Sequence, residues 1–290
     1  MQWFGGRESD NVEEGSSSGG GRGIIYGGGI VGLIAGIIYM FTGVNVGQLF
    51  NSGLPDQSQQ QQTTKVSGPM SNEKRFASVV FAGTEDVWDS LFTSMGRTYE
   101  RPTLHLYQDA VDAEGCGFAS SATGPFYCPA DRKVYLDLSF FNELSERFNA
   151  PGDAAKAYVI AHEVGHHVQN LLGVSEKMDQ ARQQLSETEY NKLSVKLELQ
   201  ADFYAGVWAH YEQRARDKGI VINRADIDSA LTAAHAIGDD RLQQQSTGRV
   251  EPDSFTHGTS AQRAYWFKKG FDTGDIRQGN TFATRDEEGY

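Results

Sequence analysis

The chain has 290 residues, of which 39% are hydrophobic and 22% charged, ordinary globular material for one large domain or two small ones. A net charge of -12 excludes a phosphate-backbone partner, because nucleic-acid binding draws on clustered Lys and Arg, so no nucleic acid is expected. Two cysteines, Cys116 and Cys128, exclude a disulfide scaffold or a four-thiolate zinc site and leave room for one bridge.

Residues 1–22 are polar and rich in Gly and Ser, which predicts a disordered tail. From Ile24 to Thr42 no residue is charged, and at about 1.5 Å rise per residue this stretch spans most of a bilayer core of about 30 Å. We therefore expect a single transmembrane helix over 23–43. Arg7 and Arg22 precede it and the first basic residue after it is Lys65, so the positive-inside bias puts the tail in the cytoplasm and the rest of the chain outside. Gly28, Gly32 and Gly36 repeat every fourth residue, a stripe through which two such helices could form a homodimer. A Gln-rich linker over 44–74 then leads to a folded domain over 75–290.

Within the domain, "RFASVVFAGTEDVWDSLFTSMG" predicts an amphipathic helix, and "TLHLYQDAV" and "KVYLDLSFF" predict strands from their period-two alternation. In the second strand Val134, Leu136 and Leu138 share one face, Tyr135, Asp137 and Ser139 the other. Everything after Asp153 is mostly helical, with Gly173 as a stop and Ser186 and Glu189 in capping-box spacing. A small antiparallel or mixed sheet followed by helices is an α+β order.

The chemistry concentrates in "AYVIAHEVGHHVQNLLG", Ala157 to Gly173. His162 and His166 are four apart, about 40° round a helix and one turn up, so two imidazoles can converge on one ion. Glu163 sits about 100° from His162, where a carboxylate can reach a metal-bound water without ligating. His167, about 140° round, is too far to share the ion and reads as a packing or surface histidine. Zinc needs a third protein ligand. Position 172 is a leucine, which closes the route through a third histidine six residues past His166. Glu198 and Asp202, four apart in the unusually apolar stretch "LELQADFYAGVWAH", supply the alternative: Glu198 as ligand, and Asp202 accepting the free ring N–H of His162 or His166.

With "HEVGHHVQ", "ELQADFYAGVWAH", "GCGFASSATGPFYCPADRKVYLDLSFF", "HGTSAQRAYWFKKGF" and the "GGRESDNVE" beginning, the chain resembles the predicted neutral zinc metallopeptidases of bacterial envelopes over nearly its whole length. The resemblance implies a zincin-like, thermolysin-like glutamate-zincin core with a metalloendopeptidase-type site, a zinc cofactor and a peptide or protein substrate. It does not imply which substrate.

In peptide hydrolysis Glu163 would act as general base, and a further donor must meet the developing oxyanion. His257, in a loop just before a helix, is the first candidate, with Tyr204 and Arg263 as competitors. Substrate is expected extended along "KVYLDLSFF", beside Tyr135 and Asp137. In an extracytoplasmic domain Cys116 and Cys128 would be oxidised to a disulfide. His105, His210 and His235 have no partner spacing. The competing class is a zinc-stabilised binding or scaffold protein without peptidase activity, against which Glu163 argues, since a purely structural site does not require it.

Overall fold

A computed structural model describes residues 1–15, 71–214 and 219–283. Its architecture is α+β. Strand β1 (Val12–Glu14) is followed, among the described residues, by helix α1 (Asn72–Ser94), strands β2 (Thr103–Tyr107), β3 (Ala110–Ala113), β4 (Gly117–Ser120), β5 (Phe126–Cys128) and β6 (Lys133–Asp137), then helices α2 (Phe140–Glu146), α3 (Asp153–Leu171), α4 (Val174–Gln184), α5 (Glu187–Arg214), α6 (Arg224–Ala236), α7 (Asp239–Thr247) and α8 (Ser260–Thr273).

The main sheet is mixed, in the order β1-β2-β6-β5, with β1, β2 and β6 parallel and β5 antiparallel at the edge. Leu104, Leu106, Val134 and Leu136 point from its centre into the helical core, as the alternation in both strands requires. The opposite face is not solvent. The β3–β4 hairpin covers it, so Tyr135 joins a second small core with Phe126 and Tyr107. A disulfide between Cys116, beside the hairpin turn, and Cys128, at the end of β5, fastens this cover to the sheet edge.

Helix α1 begins at Asn72, three residues earlier than expected, because Ser71 caps it by accepting from the Lys74 N–H. It is buried from Phe76 to Val87 on almost every side, with Trp88 and Phe92 continuing the core toward Tyr204 of α5. Helices α5 and α8 cross in close contact at Gly206 and Gly270: a Cβ on Gly206 would lie 2.0 Å from the Phe267 carbonyl oxygen, and one on Gly270 2.0 Å from that of Phe203. Only glycine permits this approach, and it holds the last turns of α8 against α5.

Two expectations for the N-terminal region are corrected. The first part of the supposed tail is folded: Val12–Glu14 pairs with Leu104–Leu106, Trp3 is 4% exposed in the main core, and the Met1 amine pairs with Asp226 of α6. The short polar stretch is held by long-range partners, not by its own periodicity. Second, among the described residues no helix is long and apolar enough to cross a membrane. The expected span 23–43, with Gly28, Gly32 and Gly36, lies outside the described residues. Its flanks nonetheless decide against a single crossing, which would put residues 1–15 and 71–283 on opposite sides of a bilayer, whereas β1 and β2 are neighbours in one sheet. The single-pass anchor and the extracytoplasmic placement deduced from it are therefore overturned.

Candidate metal centre

Helix α3 starts at Asp153, directly after Gly152, and buries almost its whole length between α1, α5 and α6. At mid-helix Gly165 faces α5, where an added Cβ would lie 2.9 Å from the Ala201 carbonyl oxygen and 3.1 Å from the Ala201 Cα. This close approach lets short carboxylate side chains on α5 reach the histidines of α3. His162, His166 and Glu198 each offer one ligand atom, all within 4.8 Å of one another. The His162 Nε2 lies 3.1 Å from Glu198 Oε2 and the His166 Nε2 3.4 Å from Glu198 Oε1, with the two rings nearly perpendicular. A tetrahedral ion with bonds of about 2.0–2.1 Å sets its ligand atoms about 3.3 Å apart, so the donor set and its spacing fit zinc.

The far nitrogens of both rings are held. His162 Nδ1 donates to Asp202 Oδ1 at 2.8 Å, and His166 Nδ1 donates to Gln169 Oε1 at 2.8 Å, which leaves each Nε2 as the inward-facing atom. Asp202 is itself gripped: Tyr158 donates its hydroxyl to Oδ1 at 2.5 Å, and Arg263 donates from Nε to Oδ2 at 2.8 Å and from its second terminal nitrogen to Oδ1 at 3.1 Å. Gln169 donates to the Leu197 carbonyl at 2.7 Å, fixing which amide atom faces His166. Sequence reasoning missed Gln169 and Tyr158 and gave Arg263 a different task. Gln169 is three residues past His166, hence on the same helix face, and Arg263 is a lone charge before the apolar "AYWF", signals that were present in the chain.

Charge is arranged for a cation. Burial opposes a proton on His162, yet Asp202 and Glu198 raise its pKa to about 10. Burial would raise Glu198, but His166, His257 and His162 hold it well below the usual carboxylate range. A positive charge between these groups is thus strongly favoured. Glu163, next to His162, lines the same cavity, and burial pushes its carboxyl up.

His257 also lines this cavity. Its loop is folded round the Asp239 carboxylate, which accepts from the backbone N–H of Thr256, His257 and Gly258 at 2.8, 2.6 and 3.0 Å. His257 Nδ1 lies 3.3 Å from Asp239 Oδ1 and 2.8 Å from the Thr256 hydroxyl. The two competitors sit otherwise: Tyr204 is buried against Trp88, and Arg263 spends its guanidinium on Asp202.

His167 is a packing residue. Its Nε2 donates to the Glu100 carbonyl at 2.6 Å and its Nδ1 accepts from the Tyr127 hydroxyl at 2.9 Å, fastening α3 to β5, and burial lowers its pKa to about 4. His105 pairs with Glu13, His210 with the Phe271 carbonyl, and His235 is exposed.

The expected substrate strand lies inside the sheet for most of its length: β2 pairs with all of Lys133–Asp137 and β5 with Lys133–Tyr135, which leaves only Leu136 and Asp137 without a strand partner on the β5 side. Tyr135 stacks on Phe126 in the second core, and Asp137 accepts from the backbone N–H of Asp109 and Ser139 and from Ser121, holding the hairpin. The edge strand on this side of the sheet is β5. It packs on α3, and the stretch from Ser121 to Pro129 that contains it lines the cavity over the metal centre.

No solved structure matches this chain. The uncharacterized protein YpfJ of Escherichia coli (strain K12) is 49% identical over 290 residues, covering 97% of this chain and 99% of that protein. The uncharacterized protein Rv2575 of Mycobacterium tuberculosis (strain ATCC 25618 / H37Rv) is 42% identical over 219 residues, 73% of each. A family model described as "Putative neutral zinc metallopeptidase" matches residues 1–282, and the chain belongs to that family.

Proposed function

We propose that the chain is a zinc-dependent metalloendopeptidase. The observation that carries this reading is the convergence of His162, His166 and Glu198 within 4.8 Å, with both far ring nitrogens hydrogen-bonded and Glu163 beside them in an open cavity. A structural zinc site is closed by four protein ligands; three ligands and an adjacent carboxylate suit catalysis. Zinc held by His162, His166 and Glu198 would polarise a scissile carbonyl and lower the pKa of water.

The chain's own residues do the rest. An extended substrate adds to the free edge of β5, hydrogen-bonding along its backbone above α3. Glu163, its pKa raised by burial toward the working range of a general base, takes the proton of the attacking water and passes it to the leaving amine nitrogen. His257 turns Nδ1 to Asp239, which leaves its Nε2–H as the donor to the developing oxyanion. Asp202 and Gln169 hold the two ligand rings through the reaction, and Arg263 keeps Asp202 ionised.

The test is chelation and restoration on the full chain. Dialysis against a strong chelator should abolish cleavage of an unfolded casein substrate, and one equivalent of zinc should restore it. Cleavage that survives complete metal removal would refute the reading, and zinc uptake with no cleavage of any protein or peptide would favour the scaffold alternative.

A further inference from the structure

The "GGRESDNVE" segment has no part in the chemistry above, yet its contacts are unusually specific. The Glu85 carboxylate on α1 is 0% exposed. Its hydrogen bonds come from this segment: Arg7 donates to Oε2 at 2.9 Å, and the Ser9 hydroxyl and Asn11 amide donate to Oε1, both at 2.7 Å. Arg7 also donates to the Ala82 carbonyl and to Asp86. A buried carboxylate needs such partners, and Glu85 finds its hydrogen-bond donors in residues 7–11, with Arg101 a further 3.9 Å from Oε2. Glu13 extends the attachment by accepting from His105 and Lys133 across the sheet, and β1 completes the edge of β2.

Just before the segment, Trp3 sits between α1 and the head of α3. Its indole ring makes an edge contact with Phe76 of α1, centroids 5.3 Å apart, and Phe76 makes another with Phe141 of α2 at 5.9 Å. Its Nε1–H donates to Asp153, the first residue of α3, at 2.9 Å. Helix α2 is the wall of the metal-centre cavity, contributing Phe140 and Glu143, with Arg147 and Phe148 just beyond it. The same indole therefore bonds to the head of the ligand-bearing helix and reaches the base of that wall through Phe76.

We propose that residues 1–15 are a positioning element for substrate binding, with Trp3 as its acting residue and Glu85 as its lock. Through Phe76, Trp3 sets α2 against the first turn of α3 and so fixes the width of the cavity, while the two ligand histidines further along α3 are held independently by Asp202 and Gln169. Loosening the segment thus changes how substrate is held and leaves the chemistry at the metal intact. The turnover part of this proposal rests on the peptidase reading; the structural part does not.

The experiment uses the full zinc-loaded chain carrying Trp3→Ala or Trp3→Phe, assayed well below the melting temperature on a quenched-fluorescence peptide that the wild type cleaves. Trp3→Ala should raise KM about tenfold with kcat within about twofold, because a widened cavity loses substrate contacts that ground state and transition state share equally. Trp3→Phe keeps the ring contact with Phe76 and should recover most of the loss. Hydrogen exchange over 140–160 should quicken in Trp3→Ala while zinc affinity stays unchanged. A lower melting temperature with KM unaltered would overturn the proposal, since that is what a purely stabilising strap gives. If Trp3→Ala fails to fold, Trp3→Phe decides: a small KM rise supports the proposal and an unchanged KM overturns it. Should the wild type turn over no peptide, the peptidase reading fails by itself and the exchange over 140–160 decides the positioning role.

Discussion

Asp202 joins the metal centre to the core, and replacing it separates two effects. Asp202→Ala removes the acceptor of His162 Nδ1, the acceptor of the Tyr158 hydroxyl and both oxygens that bind Arg263, whose side chain is only 3% exposed. Arg263 would keep the Ile237 carbonyl at 3.4 Å, the Tyr158 oxygen at 3.2 Å and the His162 Nδ1 at 3.5 Å, no counter-ion among them. Leaving one member of a buried ion pair uncompensated costs about 3–5 kcal/mol. Loss of the hydrogen bond behind a ligating histidine separately lowers metal affinity about 10–100-fold. The double variant Asp202→Leu with Arg263→Met tells them apart. It replaces the buried pair by apolar side chains of similar size, which is close to neutral for stability, yet His162 still lacks its acceptor. Urea unfolding in excess chelator reads the first effect and zinc competition against a fluorescent chelator reads the second. We expect the double variant to regain most of the stability lost by Asp202→Ala and none of the zinc affinity. Recovery of zinc affinity in the double variant, or equal instability in both, would refute the reasoning.

Three further outcomes are expected. His167→Phe strands the Glu100 carbonyl and weakens the fastening of α3 to β5, so it should destabilise the chain by about 1–3 kcal/mol with zinc stoichiometry unchanged, read by thermal melting and metal content. Cys116→Ser with Cys128→Ser opens a loop of sequence separation 12 and should cost about 3 kcal/mol in denaturant unfolding. Burial opposes the charge of Asp239, but His257 and three backbone N–H groups hold its pKa below the ordinary 3.8. A depressed carboxylate contributes its full stability above the unfolded value and loses it as pH falls through the folded one, so stability should drop below about pH 4 and Asp239→Asn should flatten that drop. An acid limb unchanged in Asp239→Asn would count against the assigned loop.

The parts legible in the sequence are those encoded by local period. The four-residue spacings of His162 with His166 and of Glu198 with Asp202 each place two side chains on one helix face, and β2 and β6 follow from alternation. That α3 and α5 meet with those faces together depends on Gly165, which reads in sequence only as a weak helix former. Which strand forms a sheet edge is decided by pairing partners, which the alternation that marks β6 does not report, and β5 has three residues, too few to show a period. The N-terminal segment failed for a related reason. Its partners lie far along the chain, Arg7 and Glu85 being 78 residues apart, so nothing within 1–22 reports them except two aromatics, Trp3 and Phe4, in a polar stretch. A window with no charge likewise predicts a membrane crossing without knowing that the segments on either side share a sheet.

The central claim is that zinc on His162, His166 and Glu198 works with Glu163 as general base to hydrolyse peptide bonds. Its most direct test measures zinc per chain and cleavage of a peptide library by mass spectrometry on the same samples of wild type and Glu163→Gln. The account expects one zinc per chain in both, with new peptide termini from the wild type and a rate at least about a hundredfold lower from Glu163→Gln. Equal cleavage by the two at equal zinc content would contradict it.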